Sequence, residues 1–268
     1  VKTGILDYLS KTCFKFDRDK AVQINAGFVE TMSKKGYAVY STNYDYAFEY
    51  VAIEKGINVS DNFVKKGQRQ IWNDNIEFNG SNSFKLIKLH GSVTWYKDEQ
   101  GAIERIQSST ELNPLGKKVE NIVIVPTRFK DIYDQHFFAL YSHFLSSLAK
   151  AKVLVVAGHS LRDDYLRAAI IERNRKGDFQ LIVVDPTYPI EIKNELSPAR
   201  KGTLGDIIHL PYKWEEIADE LAHVMGSYSS HEIAQQLLNI HKKHQYIKNK
   251  IKIKGSVRKL KANTTQEV

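Results

Sequence analysis

The chain has 268 residues, of which 42% are hydrophobic, and a formal net charge of +8. That hydrophobic share supplies a core and argues against global disorder; no apolar run approaches the roughly 18 residues of a membrane span, and the single cysteine, Cys13, excludes an intramolecular disulfide or a cysteine-based zinc cluster. Nearly all the charge lies at one end, where His231–Val268 carries nine Lys and Arg against Glu232 and Glu267, so the body is close to neutral and lacks the profile of a dedicated nucleic-acid-binding fold.

The start, Val1-Lys2-Thr3-Gly4, has no signal-peptide character, and a cytoplasmic location is expected. Residues 5–12 and 19–34 mix apolar and polar residues at helical spacing, with Val22, Ala26, Val29 and Met32 recurring, and Gly36 stops the second helix. A strand is expected at 37–42, then a helix through Tyr46–Ile53 closed near Gly56. Residues 57–82, rich in Asn, Gly and Ser, read as a loop-containing insertion. A strand at 84–89 follows, then short runs at 93–97 and 102–106 that resemble a hairpin, and a polar loop at 108–118.

Beyond this the pattern is regular. Strands are expected at 121–125, 152–157, 179–184 and 206–209, with helices at 133–149, 162–175 and 213–225. Val/Ile/Leu-rich strands alternating with helices indicate an α/β fold with a mostly parallel sheet covered on both faces. A last helix, about 230–248, runs into the basic tail, which is either solvated or binds nucleic acid or a partner's acidic surface; its interleaved Tyr246, Ile247, Ile251, Ile253 and Val257 suit contact with a partner.

Two strand ends carry polar residues. Ser41-Thr42-Asn43-Tyr44-Asp45 follows the first strand and Lys88-Leu89-His90-Gly91-Ser92 the second. In open α/β sheets ligands bind beyond the carboxyl ends of the strands, so one shared site is expected there. His90 can take a proton from a hydroxyl or water, or serve as a buried turn histidine. Gly91 allows close backbone approach. Asn43 donates and accepts at once, which suits orienting a ribose hydroxyl or an attacking water. Asp45 can accept from an amide or cap the next helix. Ser41 and Thr42 can bind phosphate or simply end the strand.

Gly158-His159-Ser160 lies between a strand and a helix, where backbone N–H groups and Ser160 can receive a phosphate or ribose oxygen, or Ser160 can act as the N-cap. Arg162 stands where the second glycine of a nucleophile elbow belongs, which disfavours a serine hydrolase. Asp185 ends the next strand, a place for a carboxylate that binds ribose hydroxyls or starts a turn. His241 and His244 lack a ligand set, so no metal is expected.

Taken in order, Thr42-Asn43-Tyr44-Asp45, Lys88-Leu89-His90-Gly91-Ser92, Gly158-His159-Ser160-Leu161 with Asp163, and the strand ending in Asp185 resemble the SIR2-like domain, the divergent bacterial branch of the sirtuin fold found in antiphage defence systems; the resemblance covers about residues 20–210. It implies a Rossmann-type sheet binding NAD and hydrolysis of the nicotinamide–ribose bond. By the same resemblance Asn43 and His90 are catalytic, Asp45 holds the carboxamide, Gly158 and Ser160 lie on the ribose-phosphate loop, and Asp185 is near the adenosine ribose. Thr42, Gly91 and Ser92 are further candidates for contact with NAD. Residues 1–226 would form this domain, with an insertion at about 93–118, and 227–268 a C-terminal helix and tail. The resemblance also implies a homo-oligomer and a partner ATPase. Deacylating sirtuins carry a four-cysteine zinc module that this chain cannot build, which favours NAD hydrolysis over deacylation; a non-catalytic NAD- or ADP-ribose-binding module or scaffold is the alternative. The family's Gly-rich pyrophosphate loop has no counterpart here, since Asn25-Ala26-Gly27-Phe28 sits in a helical pattern; the loop is expected upstream of Val1, or the site is incomplete.

Overall fold

The computed structural model describes residues 12–13, 15–67, 69–73, 82–98, 100–105, 120–123, 135–187, 195 and 207–246. The chain divides into two compact units, one formed by Val1–Ala151 with Leu161–Arg173 and the other by Lys152–Ser160 with Asn174–Val268.

The first unit opens with α1 (Arg18–Lys35). Asp17 caps it, accepting from the Lys20 N–H at 3.0 Å, and Gly36 ends it at φ 66°. Its buried residues Ala21, Phe28, Val29 and Met32 recur at helical spacing, the stripe that faces a core. Asn25–Phe28 lie inside this helix, as their pattern predicts. The helix packs on β5 (Phe84–Lys88), whose Lys85 donates its ammonium to the Gly36 carbonyl at 3.0 Å.

β5 is the middle strand of a three-stranded parallel sheet between β1 (Ala38–Ser41) and β2 (Val59–Ser60). A strand with neighbours on both sides and cover on its faces needs apolar residues almost throughout, and Phe84, Leu86 and Ile87 are all buried. α2 (Ala47–Glu54) follows β1.

The same unit holds a five-stranded antiparallel sheet in the order β3 (Phe63–Lys66), β4 (Arg69–Trp72), β7 (Ile103–Arg105), β6 (Gly91–Lys97), β8 (Glu120–Val123). The expected hairpin is present as β6 and β7. Two expectations change. The segment 57–82 is not only loop but supplies β2, β3 and β4, because Phe63 and Trp72 face Trp95 in an aromatic cluster with centroids 5.2–5.5 Å apart. The strand expected at 121–125 as part of the parallel repeat instead pairs antiparallel with β6; its residues 124–125 lie outside the described residues, as does the loop at 108–118. Hydrophobic runs report burial, not strand direction. Helices α3 (Gln135–Lys150) and α4 (Asp164–Asn174) complete the described part of this unit.

The second unit contains the parallel sheet β9 (Val153–Ala157), β10 (Gln180–Val184), β11 (Ile208–Leu210), with β10 in the middle and buried from Leu181 to Val184. α5 (Trp214–Ser227) follows, and residues 230–246 are helical. The basic tail beyond 246 lies outside the described residues. Among the described residues no helix is long and apolar enough to cross a membrane.

Candidate functional site

The β1–β5 ladder runs from Ala38↔Lys85 to Ser41↔Lys88. Asn43 and His90 each lie two residues beyond the last pair, in the segments that follow the carboxyl ends of neighbouring parallel strands. The loop after β1 is tied down locally. Ser41 is buried and its hydroxyl accepts the Asn43 N–H at 3.1 Å, so it ends the strand rather than facing a ligand. Asp45 accepts the Ala47 N–H at 2.9 Å and starts α2. Asn43 is exposed, and its side-chain amide has no partner among the described residues. Thr42 is half-buried beside it.

Ser92 is completely buried, and its hydroxyl donates to the Tyr44 carbonyl at 3.2 Å and lies 3.0 Å from the Thr94 hydroxyl. Its observed task is to join the β1 loop to β6. Gly91 begins β6 at φ 78°, a conformation open to glycine, and hands the chain from the parallel to the antiparallel sheet.

His90 is only 8% exposed. Its Nε2 is 2.9 Å from Asp163 Oδ2 and 3.4 Å from the Tyr141 hydroxyl, and Tyr141 donates to the same carboxylate oxygen at 3.3 Å. The other oxygen of Asp163 accepts the N–H groups of Tyr165 and Leu166 at 3.1 and 3.3 Å. Asp163 is therefore the N-cap of α4, the role Ser160 offered in the sequence. Burial, then the Asp163 charge, pushes the Tyr141 hydroxyl above the ordinary tyrosine range, so it stays a donor. The Tyr44 ring lies 6.4 Å from the imidazole, and burial raises its hydroxyl to about 12. Asp163 stood in a quoted motif without a role, and Tyr141 lay unremarked within the helix expected at 133–149. An aspartate immediately before a helical pattern is a capping signal that could have singled out Asp163.

Beneath the loop lies a buried ion pair. Lys88 Nζ is 3.3 Å from Glu49 Oε1, with both side chains under 5% exposed, and Lys88 also donates to the Asp45 carbonyl. Glu49 is held above its ordinary value, chiefly by burial, with Lys88 pulling the other way. A raised folded value means the folded state binds the proton more tightly than the unfolded chain. Its stabilisation is full below the unfolded value near 4.5 and is lost as pH rises through the folded value. Urea denaturation of wild type and Glu49→Gln is therefore expected to show wild type gaining relative stability as pH falls from neutral towards 4.5. A difference constant with pH would refute this.

In the second unit, Gly158 and Asp185 each follow the last rung of the β9–β10 ladder, Ala157↔Val184. Gly158 takes φ 61°, donates to the Val184 carbonyl at 2.9 Å, and a Cβ there would meet nothing within 4 Å. Its left-handed backbone, not crowding, demands glycine. Ser160 is exposed. Asp185 Oδ1 accepts the Thr187 N–H at 2.7 Å and hydroxyl at 3.2 Å, the turn anticipated as one of its two roles. No group of three or more His, Cys, Asp or Glu suited to a metal occurs among the described residues.

The chain belongs to the SIR2-like domain family, whose profile matches residues 37–201. A search of curated proteins returns no match. Among solved structures, a Phe-to-Ala mutant of a Sir2 homologue in complex with ADP ribose shares 14% identity, covers 88% of this chain and 75% of its own, and superposes with a TM-score of 0.50. A Sir2 triple mutant in complex with 2'-O-acetyl ADP ribose gives 15%, 84%, 76% and 0.49. At 14% identity the likeness to the ADP-ribose complex is one of fold, and it agrees with the Rossmann-like α/β architecture expected from the sequence.

Proposed function

We propose that this chain is an NAD-utilising enzyme, an NAD hydrolase that cleaves the nicotinamide–ribose bond. Membership of the SIR2-like family and the ADP-ribose ligands of Sir2 homologues support the substrate class. The observation that supports the reaction is local: a buried, carboxylate-bonded His90 and an exposed Asn43 follow the ends of two adjoining parallel strands.

The chemistry asks little of an acid. Nicotinamide leaves the ribose C1' as a neutral molecule, and the sugar becomes oxocarbenium-like. A water adds to C1', and its proton must go elsewhere. Asn43 orients that water or the adjoining hydroxyl, and His90 accepts the proton. The products are nicotinamide, ADP-ribose and one proton. Positioning and exclusion of bulk water supply the remainder. In this reading Asp45 holds the nicotinamide carboxamide, and Thr42 and Gly91 are further contacts for NAD. NAD depletion by such an enzyme fits an effector of antiphage defence, with residues 227–268 available for assembly.

The test is to incubate the purified protein with NAD and quantify nicotinamide and ADP-ribose over time. Equimolar release is expected. NAD that binds and remains intact would replace the hydrolase with a binding module.

A further inference from the structure

We propose that Asp163 is the positioning residue of His90, holding the ring hydrogen on Nε2 and leaving the lone pair on Nδ1, with Tyr141 bracing the carboxylate. The inference rests on the reading of His90 as the base of the proposed hydrolysis.

The argument is a count of donors and acceptors. An ionised carboxylate only accepts. Asp163 Oδ1 is taken by the two N–H groups at the start of α4, and Oδ2 takes the Tyr141 hydroxyl and faces His90 Nε2 at 2.9 Å. For that last contact to be a hydrogen bond, the hydrogen must sit on Nε2. The Tyr141 oxygen, 3.4 Å from the same nitrogen, offers a second acceptor. In a neutral imidazole, the bond made by one nitrogen decides which carries the hydrogen. Here that bond is anchored to a helix terminus, so the ring is fixed in orientation as well as in tautomer. Among the described residues, the ionisable groups facing it include Asp163, Tyr141 from α3, and Tyr44 from the β1 loop.

A purely capping role for Asp163 is the competing account, and two substitutions separate them. Serine caps a helix about as well as aspartate, yet is one carbon too short to hold both the helix and His90. Asparagine keeps the capping oxygen but turns an NH₂ toward Nε2, which then must accept, so the tautomer inverts. The experiment records ring ¹⁵N resonances of His90 at alkaline pH, assigned against His90→Ala, in wild type, Asp163→Asn and Asp163→Ser, and measures kcat and KM for NAD in each. Hydrogen on Nε2 is expected in wild type and on Nδ1 in Asp163→Asn. Both variants should lose kcat by about 10²–10⁴-fold with KM for NAD changed less than about twofold, and both should remain folded by circular dichroism at the assay temperature. Hydrogen on Nδ1 in wild type, or a tautomer unmoved by asparagine, would overturn the proposal. The resonances decide it even if wild type releases no nicotinamide, an outcome that would instead remove the hydrolase reading.

Discussion

Replacing Asn43 with alanine is expected to lower NAD turnover by about 10²-fold or more while leaving the fold unchanged, and His90→Ala to lower it by about 10²–10⁴-fold. The two variants differ in what else they disturb. Asn43 is exposed and its amide has no partner among the described residues, so its loss should move stability by under about 0.5 kcal/mol. His90 is buried against Asp163 and Tyr141, so its loss strips one partner from a buried carboxylate at a cost of about 1–3 kcal/mol. Asn43→Ala is therefore the cleaner probe of chemistry. Turnover is followed by nicotinamide release, and folding by circular dichroism at the same temperature. A fully active Asn43→Ala would remove this residue from the mechanism.

Lys88→Met is expected to lower the unfolding free energy by about 3–5 kcal/mol, the cost of removing one partner of a buried ion pair. Lys88 and Glu49 are both almost wholly buried, and Glu49 Oε2 already lacks a partner among the described residues. The Asp45 carbonyl would lose its donor as well. Because Glu49 can protonate instead of remaining an isolated charge, the penalty should shrink at lower pH. The double variant Lys88→Met/Glu49→Leu should recover most of the loss, since buried pairs are often replaceable by well-packed apolar groups. Urea titrations of the two single variants and the double measure this. A single variant within about 1 kcal/mol of wild type would show that the pair carries little of the fold.

The sequence showed the site's floor plan better than its walls. Strands ending at Ser41 and Lys88 were legible because each apolar run stops at polar residues, and their neighbouring placement follows the general siting of ligands at strand ends. Strand direction was less legible: an apolar run such as Asn121–Val125 looks the same whether it pairs parallel or antiparallel. The β3–β4 pair was hidden because its packing depends on Trp95, a partner more than twenty residues away. Glu49 and Lys88 were invisible as a buried pair for a related reason, since a charge in a periodic pattern reads as solvated. Asp163 lies 73 residues from His90, and periodicity says nothing about contacts at that range.

The four rungs joining β1 to β5 act as a ruler for the chemistry. A slip of one rung would displace Asn43 from His90 by about 3.3 Å along the strands, and a misplacement of about 1 Å can already cost a hundredfold in rate. Inserting or deleting a single residue between Ser41 and Asn43, or between Lys88 and His90, should thus be far less tolerable than lengthening the connection between β4 and β5.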